Sequence, residues 1–405
     1  MIPPPSATRL PREIWVLVSA GFVIAVGYGI IAPVLPRFAQ SFDVGATAAA
    51  AVVSAFALAR LVFAPAGGFL TTRFGERRIY VAGVFVVALS TGAVAFASSY
   101  PQLLVFRGLG GIGSVMFTVS SATLVIRIAP PLARGKATAA MGSAMLFGGI
   151  AGPVIGAALS GLGMRAPFQI YMVALLIAGS IVVVLLPEVP KLDGPFQVQA
   201  APMAFGEAVQ DSAFRASLVT GFVNGWSNLG IRMAIVPLLA VTLVGAGDWS
   251  AGAALTAFAV GNAAALVLVG SLSDRIGRKP PIVFGLIVTG LATAIAGFVD
   301  GVWFFIGLCA IAGAGAGTFG PAQQAVIADV VGNERSGGKV TAGSQMSADL
   351  GSILGPLVAG ALVDHGGYPV AFGLAGLLCL LSAAQWLPAR ESNPRDNGQA
   401  LTSSG

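Results

Sequence analysis

The sequence predicts an all-α membrane protein with twelve transmembrane helices. We expect two six-helix bundles, related by a pseudo-two-fold axis along the membrane normal. Apolar residues make up 56% of the 405 residues and charged residues only 9%, whereas a soluble domain has about 25% charged residues. Twelve apolar segments are long enough to cross about 30 Å of hydrocarbon. Finally, two stretches lying 203 positions apart carry the same pattern of glycine and proline.

The twelve segments are the apolar runs between short polar clusters. As segments 1 to 12, their approximate limits are 14–36, 46–70, 79–97, 102–124, 136–160, 167–187, 214–244, 251–272, 281–299, 302–327, 340–363 and 369–387. Segment 1 is too long for a signal peptide and lacks a small-residue cleavage pattern, so we interpret it as a retained helix. Segment 7 is the least regular, because three polar side chains interrupt it.

Positive charges predict the orientation of these segments. With the N-terminus inside, the loops on the cytoplasmic side carry most of the loop Lys and Arg, whereas the opposite loops carry only Arg37 and Arg165. Lys and Arg are enriched in cytoplasmic loops, so both termini of this multi-pass protein of the inner or plasma membrane are expected in the cytoplasm. Six helices per half is an even number, which gives both halves the same orientation.

The polar stretches then define the domain organisation. We expect a cytoplasmic N-terminus, an N-terminal six-helix bundle, a cytoplasmic linker, a C-terminal six-helix bundle and a disordered cytoplasmic tail, because the last stretch is polar and has few apolar residues. Their limits are 1–13, 14–187, 188–213, 214–387 and 388–405.

The repeated motif indicates two copies of one unit. Gly148-x-x-x-Gly152-Pro153 in segment 5 matches Gly351-x-x-x-Gly355-Pro356 in segment 11 without a gap, as expected for an internal repeat. Internal repeats are typical of secondary transporters. Glycines four positions apart let a facing helix approach closely, and proline removes a backbone hydrogen bond and bends a helix. We expect this motif to act at the interface between the halves, with gating and helix-bending residues Gly148, Gly152, Pro153, Gly156, Gly351, Gly355 and Pro356.

Composition also limits the possible functions. The net charge of +6 comes from Lys and Arg in short clusters between apolar runs, which indicates cytoplasmic loops and not a nucleic-acid surface. Cys309 and Cys379 lie inside apolar runs, so we interpret them as packing residues.

The chain has no phosphate-cradling loop, so a gradient must drive transport unless a separate subunit supplies energy. We expect that the protein is not an enzyme and that it has no catalytic residue, cofactor or metal. The expected partners are a small-molecule substrate, protons and the lipid bilayer, and we expect a monomer.

The loop after segment 8 carries a specific motif, Gly270-Ser-Leu-Ser-Asp274-Arg275-Ile-Gly277-Arg278-Lys279. It matches in full the signature G-x-L-x-D-R-x-G-R-K of the major facilitator superfamily, which the chain resembles over residues 14–387. The resemblance implies a latch on the cytoplasmic side in which Asp274 pairs with Arg275 and Arg278 and caps backbone amides. The alternative is that these basic residues serve orientation alone.

The equivalent loop after segment 2 departs from that signature. It keeps Gly68, Arg73 and Gly75, but it has Thr72 in place of the Asp and Glu76 in place of an Arg. We therefore assign the latch to the C-terminal half.

Two further motifs resemble drug exporters within that family. The Gly148-x-x-x-Gly152-Pro153 motif resembles the signature of drug–proton antiporters, and the Pro33-Val-Leu-Pro36 ending of segment 1 resembles the tetracycline-efflux group. Such proteins place an acid about two and a half turns before the first of these prolines, a position that Ile24 occupies here. The resemblance thus favours export, while any proton coupling requires another group.

Three residues are candidates for proton coupling. Asp349 is the only acid deep in an apolar run, and Arg60 lies deep in segment 2, which the two-fold arrangement would place opposite segment 11. Arg107, followed by glycines, resembles the family's second motif, a membrane-embedded arginine. Ionisable residues inside a membrane are costly and commonly functional. The alternatives are a static ion pair between Asp349 and Arg60 and an Arg107 that backbone carbonyls satisfy.

Segment 7 carries a polar stripe. Asn224, Asn228 and Arg232 are four positions apart and so share one face of a helix, which should face a water-filled cavity and not lipid. The substrate cavity is expected to contain Tyr28, Arg107, Asn224, Trp226, Asn228, Arg232, Asn262, Gln323 and Gln324. Hydrogen bonding between helices without substrate contact is the alternative.

These features predict a secondary active transporter that exports small amphipathic molecules through rocker-switch alternating access, with protons as the expected coupling ion. One alternative is a facilitator or importer of a metabolite such as a sugar or organic acid. Another is a non-transporting membrane scaffold. The deep basic residues Arg60, Arg107 and Arg232 outnumber deep acids, which gives weight to an anionic or zwitterionic substrate.

Overall fold

A computed structural model describes residues 10–130, 133–187, 203–269, 276–332, 335 and 337–392. Within these residues, eleven continuous helices are long and apolar enough to cross a membrane. The chain separates into two compact units. The first unit comprises Met1–Val44 and Ala51–Asp193, and the second comprises Gly45–Ala50 and Gly194–Gly405.

The first six membrane helices follow the predicted segments closely. They are α1 (Arg12–Ile31), α2 (Ala46–Phe74), α3 (Glu76–Ala95), α4 (Tyr100–Ile128), α5 (Arg134–Ala158) and α6 (Ala166–Leu185). Segment 1 was predicted to continue to residue 36, but α1 ends at Ile31 and a short separate helix, Leu35–Gln40, follows. Pro33 lies in the break, where its missing N–H prevents a continuous helix.

The remaining helices also match their segments. They are α7 (Ser212–Asn224, Gly225–Ile231, Arg232–Ala234 and Val236–Ala240), α8 (Ser250–Val269), α9 (Lys279–Ala296), α10 (Val302–Val331), α11 (Gly338–Gly366) and α12 (Tyr368–Gln385). The first residues of α2 belong to the second unit. There the Asp364 carboxylate accepts hydrogen bonds from the backbone N–H groups of Ala46 and Thr47, at 2.8 and 2.9 Å.

Segment 7, the least regular in the sequence, does not form a uniform α-helix. α7 changes from α-helix to a π-helix over Gly225–Ile231, so its backbone hydrogen bonds there are one residue longer than in an α-helix. Two glycines of this π segment lie directly against α11. A Cβ built on Gly230 would lie 2.8 Å from the Cδ of Pro356, and one built on Gly225 would overlap the carbonyl of Ala348.

The repeated glycine motif packs inside each unit. A Cβ built on Gly148 or Gly152 would lie 2.9 or 2.5 Å from the carbonyl oxygens of Phe22 and Val26 in α1. The equivalent glycine face of α11 contacts α7. Gly351 lies on the carbonyl group of Phe222, and a Cβ built on Gly355 would lie 2.8 Å from the carbonyl oxygen of Trp226. Each glycine face therefore joins two helices of one half, and the expected role at the interface between the halves stays a prediction.

A second pair of contacts repeats in the same way. A Cβ built on Gly83 of α3 would lie 2.7 Å from the carbonyl oxygen of Gly113 in α4. Its counterpart on Gly285 of α9 would lie 2.6 Å from the carbonyl oxygen of Gly315 in α10. Backbone-to-backbone contacts of this kind require glycine on both helices. The internal repeat seen in the sequence is thus also a repeat of helix packing.

Parts of the predicted linker and tail are structured. Residues 188–202 and 393–405 lie outside the described residues. In the linker, Met203 and Ala208 pack in a buried cluster with Phe214. The tail was expected to be disordered from residue 388, but Arg390 donates from Nε to Asp211 at 2.9 and 3.0 Å. The prediction is therefore wrong for 388–392, because charged side chains of that stretch find partners on the second unit.

Candidate functional site

Arg107 is the centre of a buried cluster in the first unit. It lies in α4, and its side chain is 5% exposed. Its guanidinium carbon lies 4.5 Å from the centre of the Phe56 ring in α2, a cation–π geometry. Tyr28 of α1 and Tyr171 of α6 are close enough to interact electrostatically with it. The predicted neighbours Tyr28 and Arg107 therefore lie together in this half of the protein.

The two tyrosines of this cluster have different surroundings. The Tyr171 hydroxyl donates a hydrogen bond of 3.1 Å to the carbonyl oxygen of Ile24, and its ring lies on Gly27, where any side chain would overlap it. Tyr28 is half-buried, and its ring centre lies 6.2 Å from that of Phe56. Tyr171 is therefore held by packing, whereas Tyr28 lies at the edge of the cluster.

Arg232 is the centre of a second cluster, in the second unit. Its guanidinium carbon lies 3.8 Å from the centre of the Phe258 ring in α8. Arg232 and Phe258 line a cavity of about 30 Å³ together with Ser227, Asn228 and Cys309. A cavity of that size holds one or two water molecules. The predicted polar residues Asn228 and Arg232 thus face the same space.

The two clusters use equivalent phenylalanines. Phe56 and Phe258 are 202 positions apart, and each presents its backbone carbonyl to a glycine of the neighbouring helix, Gly111 and Gly313. The position equivalent to Arg107 is Cys309. In the second unit the guanidinium comes from α7 and not from α10, the helix equivalent to α4. Each unit therefore places one arginine over the equivalent phenylalanine, but from a different helix. Neither phenylalanine was among the predicted site residues, although the 202-residue separation of Gly75 and Gly277 in the signature loops could have related them.

The two asparagines of α7 form a hydrogen bond with each other. Asn228 donates from Nδ2 to the Oδ1 of Asn224 at 2.8 Å, which confirms their common face. Trp226 is buried, with its ring centre 5.9 Å from that of Phe222, and its backbone lies under Gly355 of α11. Trp226 therefore lies in the packing between α7 and α11.

Gln323, Gln324 and Asn262 do not form one surface. Gln323 is buried and donates from Nε2 to the Ser217 carbonyl oxygen at 2.9 Å, which ties α10 to α7. Its neighbour Gln324 is exposed, and Asn262 in α8 is half-buried. For Gln323, the hydrogen bond therefore supports the alternative of bonding between helices without substrate contact.

Asp349 and Arg60 lie in different units, and their predicted pairing remains a prediction. Asp349 is half-buried in α11 and accepts a hydrogen bond of 3.1 Å from Nε2 of Gln345, one turn earlier. Arg60 is half-buried in α2. Cys309 and Cys379 are free and buried, as expected of packing residues.

The loops that carry the signature have the same backbone turn. Gly75 and Gly277 both have positive φ, +90° and +94°, a conformation that favours glycine. In the first unit, Arg73 lies against the Phe69 and Phe74 rings, with its guanidinium carbon 5.9 and 5.5 Å from the ring centres. No other atom lies within 4 Å of the Cβ position at Gly68. Gly270, Asp274 and Arg275 lie outside the described residues.

An ion pair follows this turn in each half. In the second unit, Arg278 Nε lies 3.1 Å from the Oδ2 of Asp329 at the end of α10. In the first unit, Glu76 pairs with Arg127 at the end of α4. The latch expected in the C-terminal half centres on Asp274, outside the described residues, so it stays a prediction. In the first unit, Arg127 compensates the charge change at Glu76.

The tail supplies a helix cap that the sequence analysis missed. The two carboxylate oxygens of Glu391 accept hydrogen bonds from the backbone N–H groups of Arg278 and Lys279, at 2.8 and 3.0 Å. Free N–H groups at the start of a helix need such acceptors, and α9 begins at Lys279. Lys279 Nζ in turn donates to the carbonyl oxygen of Leu387 at 2.6 Å. More than a hundred residues separate these partners, so no local pattern indicates them.

Comparisons with known proteins cover nearly the whole chain. The Major Facilitator Superfamily profile matches residues 17–247 and 217–402. The chain is 24% identical over 381 residues to "Multidrug resistance protein 2" of Bacillus subtilis (strain 168), covering 86% of this chain and 88% of that protein. It is also 24% identical over 380 residues to "Quinolone resistance protein NorA" of Staphylococcus aureus (strain Mu50 / ATCC 700699), covering 92% and 97%.

The fold is similar to that of a solved transporter. A bacterial homologue of the human lysosomal transporter Spinster, in an inward-facing and occupied conformation, superposes with a TM-score of 0.75 at 15% sequence identity. The match covers 92% of this chain and 95% of that one. At this identity the likeness concerns the fold alone.

Proposed function

Because the chain belongs to the major facilitator superfamily, we propose that it exports small amphipathic molecules across the cell membrane, with protons as the coupling ion. The observation that carries this proposal is the arginine over a phenylalanine ring in each unit, Arg107 on Phe56 and Arg232 on Phe258. Ligand sites for amphipathic molecules combine apolar or aromatic walls with a few polar groups that orient the ligand. The likeness to two bacterial drug-resistance proteins supports the outward direction.

The glycine contacts support alternating access by rocking of the two halves. In the first unit, Gly152 brings α5 against the backbone of α1, and in the second, Gly355 brings α11 against α7. Helix pairs in such close contact leave little space for movement within a unit. Alternating access in these transporters is largely a rigid-body motion of one half against the other. Such a motion requires that each half is rigid.

For coupling, we propose that Asp349 exchanges the proton, with Arg60 and Arg107 as the positive groups that respond to it. Asp349 is half-buried in α11, and its described side-chain hydrogen bond comes from neutral Gln345. Asp329, a second possible acid, is engaged on the cytoplasmic side by Arg278 and by the Ser392 hydroxyl. This engagement favours Asp349. We further propose that both termini are cytoplasmic and that the protein acts as a monomer.

The export proposal is tested by accumulation in intact cells. Cells with and without the protein are loaded with a panel of fluorescent amphipathic compounds that includes ethidium, a cation, and fluorescein, an anion. The proposal expects lower accumulation of at least one compound, and the difference should vanish when a protonophore collapses the gradient. Increased uptake alone would favour the metabolite importer, and no change for any compound in a properly inserted protein would favour the scaffold.

A further inference from the structure

We infer that Arg107 and Tyr28 form a recognition point for a negatively charged group, a carboxylate, on the transported molecule. This inference rests on the proposed transport function and names the class of substrate. It concerns the first unit only, where both residues and their neighbours Phe56 and Tyr171 lie.

The first argument is the charge of Arg107. Its side chain is 5% exposed, and its buried Nε makes no hydrogen bond to the part of the chain that the structure describes. Its neighbours Phe56, Tyr28 and Tyr171 are aromatic residues, and none of them is an acid. A charged arginine inside a membrane is costly. An anion that binds there would offset part of that cost.

The second argument is the position of the acids. The described acids of the first unit are Glu13, Asp43 and Glu76. Glu13 lies in the first turn of α1, Asp43 lies in a turn before α2, and Glu76 pairs with Arg127. None of the three forms an ion pair with Arg107 in the described part of this unit. Within the described part of this unit, the guanidinium therefore has aromatic and hydroxyl neighbours but no counter-ion.

The third argument is geometry. The Phe56 ring centre lies 4.5 Å from the guanidinium carbon, a cation–π contact that uses none of the N–H groups as hydrogen-bond donors. Arginine presents those groups as a rigid fork that matches a carboxylate. Tyr28 adds a hydroxyl that takes part in none of the hydrogen bonds described for this structure, whereas that of Tyr171 is engaged by Ile24. Tyr28 and Phe56 are both half-buried, so these two rings are the partly exposed neighbours of the buried Arg107.

The test uses two probes that differ in charge and share one ring system, 2-naphthoate and 2-naphthamide. The full-length protein is purified in lipid nanodiscs, and the affinity for each probe is measured at pH 7 by fluorescence titration. We expect the wild-type protein to bind the carboxylate more tightly than the amide. Arg107→Met should weaken naphthoate binding by about tenfold or more, as for a lost hydrogen bond to a charged group, and should leave naphthamide binding unchanged. Tyr28→Phe should weaken naphthoate binding alone, by a smaller factor.

Controls separate recognition from folding and from transport. Arg165→Met removes the same charge from an exposed position and should not change either affinity. Arg107→Lys keeps the charge and should retain part of the preference for naphthoate, which provides a second test if Arg107→Met does not fold. Equal binding of both probes by the wild-type protein, or an equal loss of both in Arg107→Met, would overturn the inference. Because no gradient is present, these results do not depend on the direction of transport, so the export proposal can fail or stand separately.

Discussion

Glu76 and Arg127 form an ion pair between the start of α3 and the end of α4, and its polarity is the reverse of the equivalent pair in the other half. Glu76 corresponds to Arg278 and Arg127 to Asp329, in each case 202 positions later. The side chains of Arg127 and Glu76 are only 8% and 15% exposed. The contact is therefore repeated in both halves, although the charges have exchanged positions.

Exchanging the charges of this pair should therefore be tolerated. Glu76→Arg alone places two arginines together, and Arg127→Asp alone places two acids together, so we expect each to destabilise the protein by about 3 kcal/mol, as for a buried pair that loses one partner. The double variant restores the polarity found in the second unit and should recover most of that loss. Thermal unfolding in detergent measures the effect. If the double variant loses as much as the two single variants combined, the pair does not act as a unit.

Gly152 and Gly149 provide a matched pair for the helix contact. A Cβ at Gly152 would lie 2.5 Å from the Val26 carbonyl oxygen, whereas no atom lies within 4 Å of the Cβ position at Gly149. Gly152→Leu should abolish transport and also lower the unfolding temperature, because α5 must move away from α1 inside one unit. Gly149→Leu should retain both transport and stability. The two properties are read from substrate efflux and thermal unfolding, and similar behaviour of both variants would show that the contact is not important.

The Glu391 cap makes a prediction for the tail. Glu391→Ala removes the acceptor for the backbone N–H groups of Arg278 and Lys279, and loss of such a cap costs about 1 kcal/mol. Glu207→Ala is the control, because Glu207 pairs with Arg335 while both side chains are more than 40% exposed and such pairs contribute little. We expect a lower unfolding temperature for Glu391→Ala only. An equal effect of the two variants would contradict a capping role.

The contact between Asp211 and Arg390 should make stability depend on pH. Burial alone would raise the pKa of Asp211, but hydrogen bonds from Arg390 and from the backbone N–H of Ala213 outweigh it and hold this pKa below its ordinary value of 3.8. The folded protein therefore favours the ionised form. The resulting stabilisation is present above the ordinary pKa and is lost as the pH falls through the lower folded one.

Two variants test that pH dependence. Asp211→Asn and Arg390→Met should each reduce the unfolding temperature near neutral pH and should each flatten its fall in acid. Below the folded pKa of Asp211, the wild-type protein and both variants should converge. Unfolding temperatures from pH 3 to pH 7 give the comparison. A constant difference between wild type and Asp211→Asn at every pH would contradict the account.

Asp349 makes the prediction for coupling. Asp349→Asn keeps the shape and hydrogen-bonding capacity of the side chain but cannot exchange a proton. Transport by this variant should lose its dependence on the pH gradient, while exchange of labelled for unlabelled substrate should continue. Gln345→Ala, which removes the described donor to Asp349, should retain the dependence. A static role would instead give poor folding, because a buried pair that loses one partner costs roughly 3–5 kcal/mol.

The sequence predicted the helices better than their contacts. Eleven of the twelve apolar segments correspond to continuous helices, because spanning hydrocarbon imposes both length and composition. The π segment of α7 escaped prediction, since the polar spacing of Asn224 and Asn228 fits an α-helix equally well. Glu391 and Arg127 also escaped, because each meets a partner far away in the sequence. Charge complementarity at positions 202 apart was the available signal for Arg127.

The most direct test of the central claim uses everted membrane vesicles prepared from cells that produce the protein. Their cytoplasmic face points outward, so export from the cell appears as uptake into the vesicle. With the vesicle interior acidified, the account predicts that ethidium or fluorescein accumulates inside, and that dissipating the pH gradient releases it. Vesicles with correctly inserted protein that accumulate neither compound under the gradient, or that accumulate compound equally well without it, would contradict proton-coupled export.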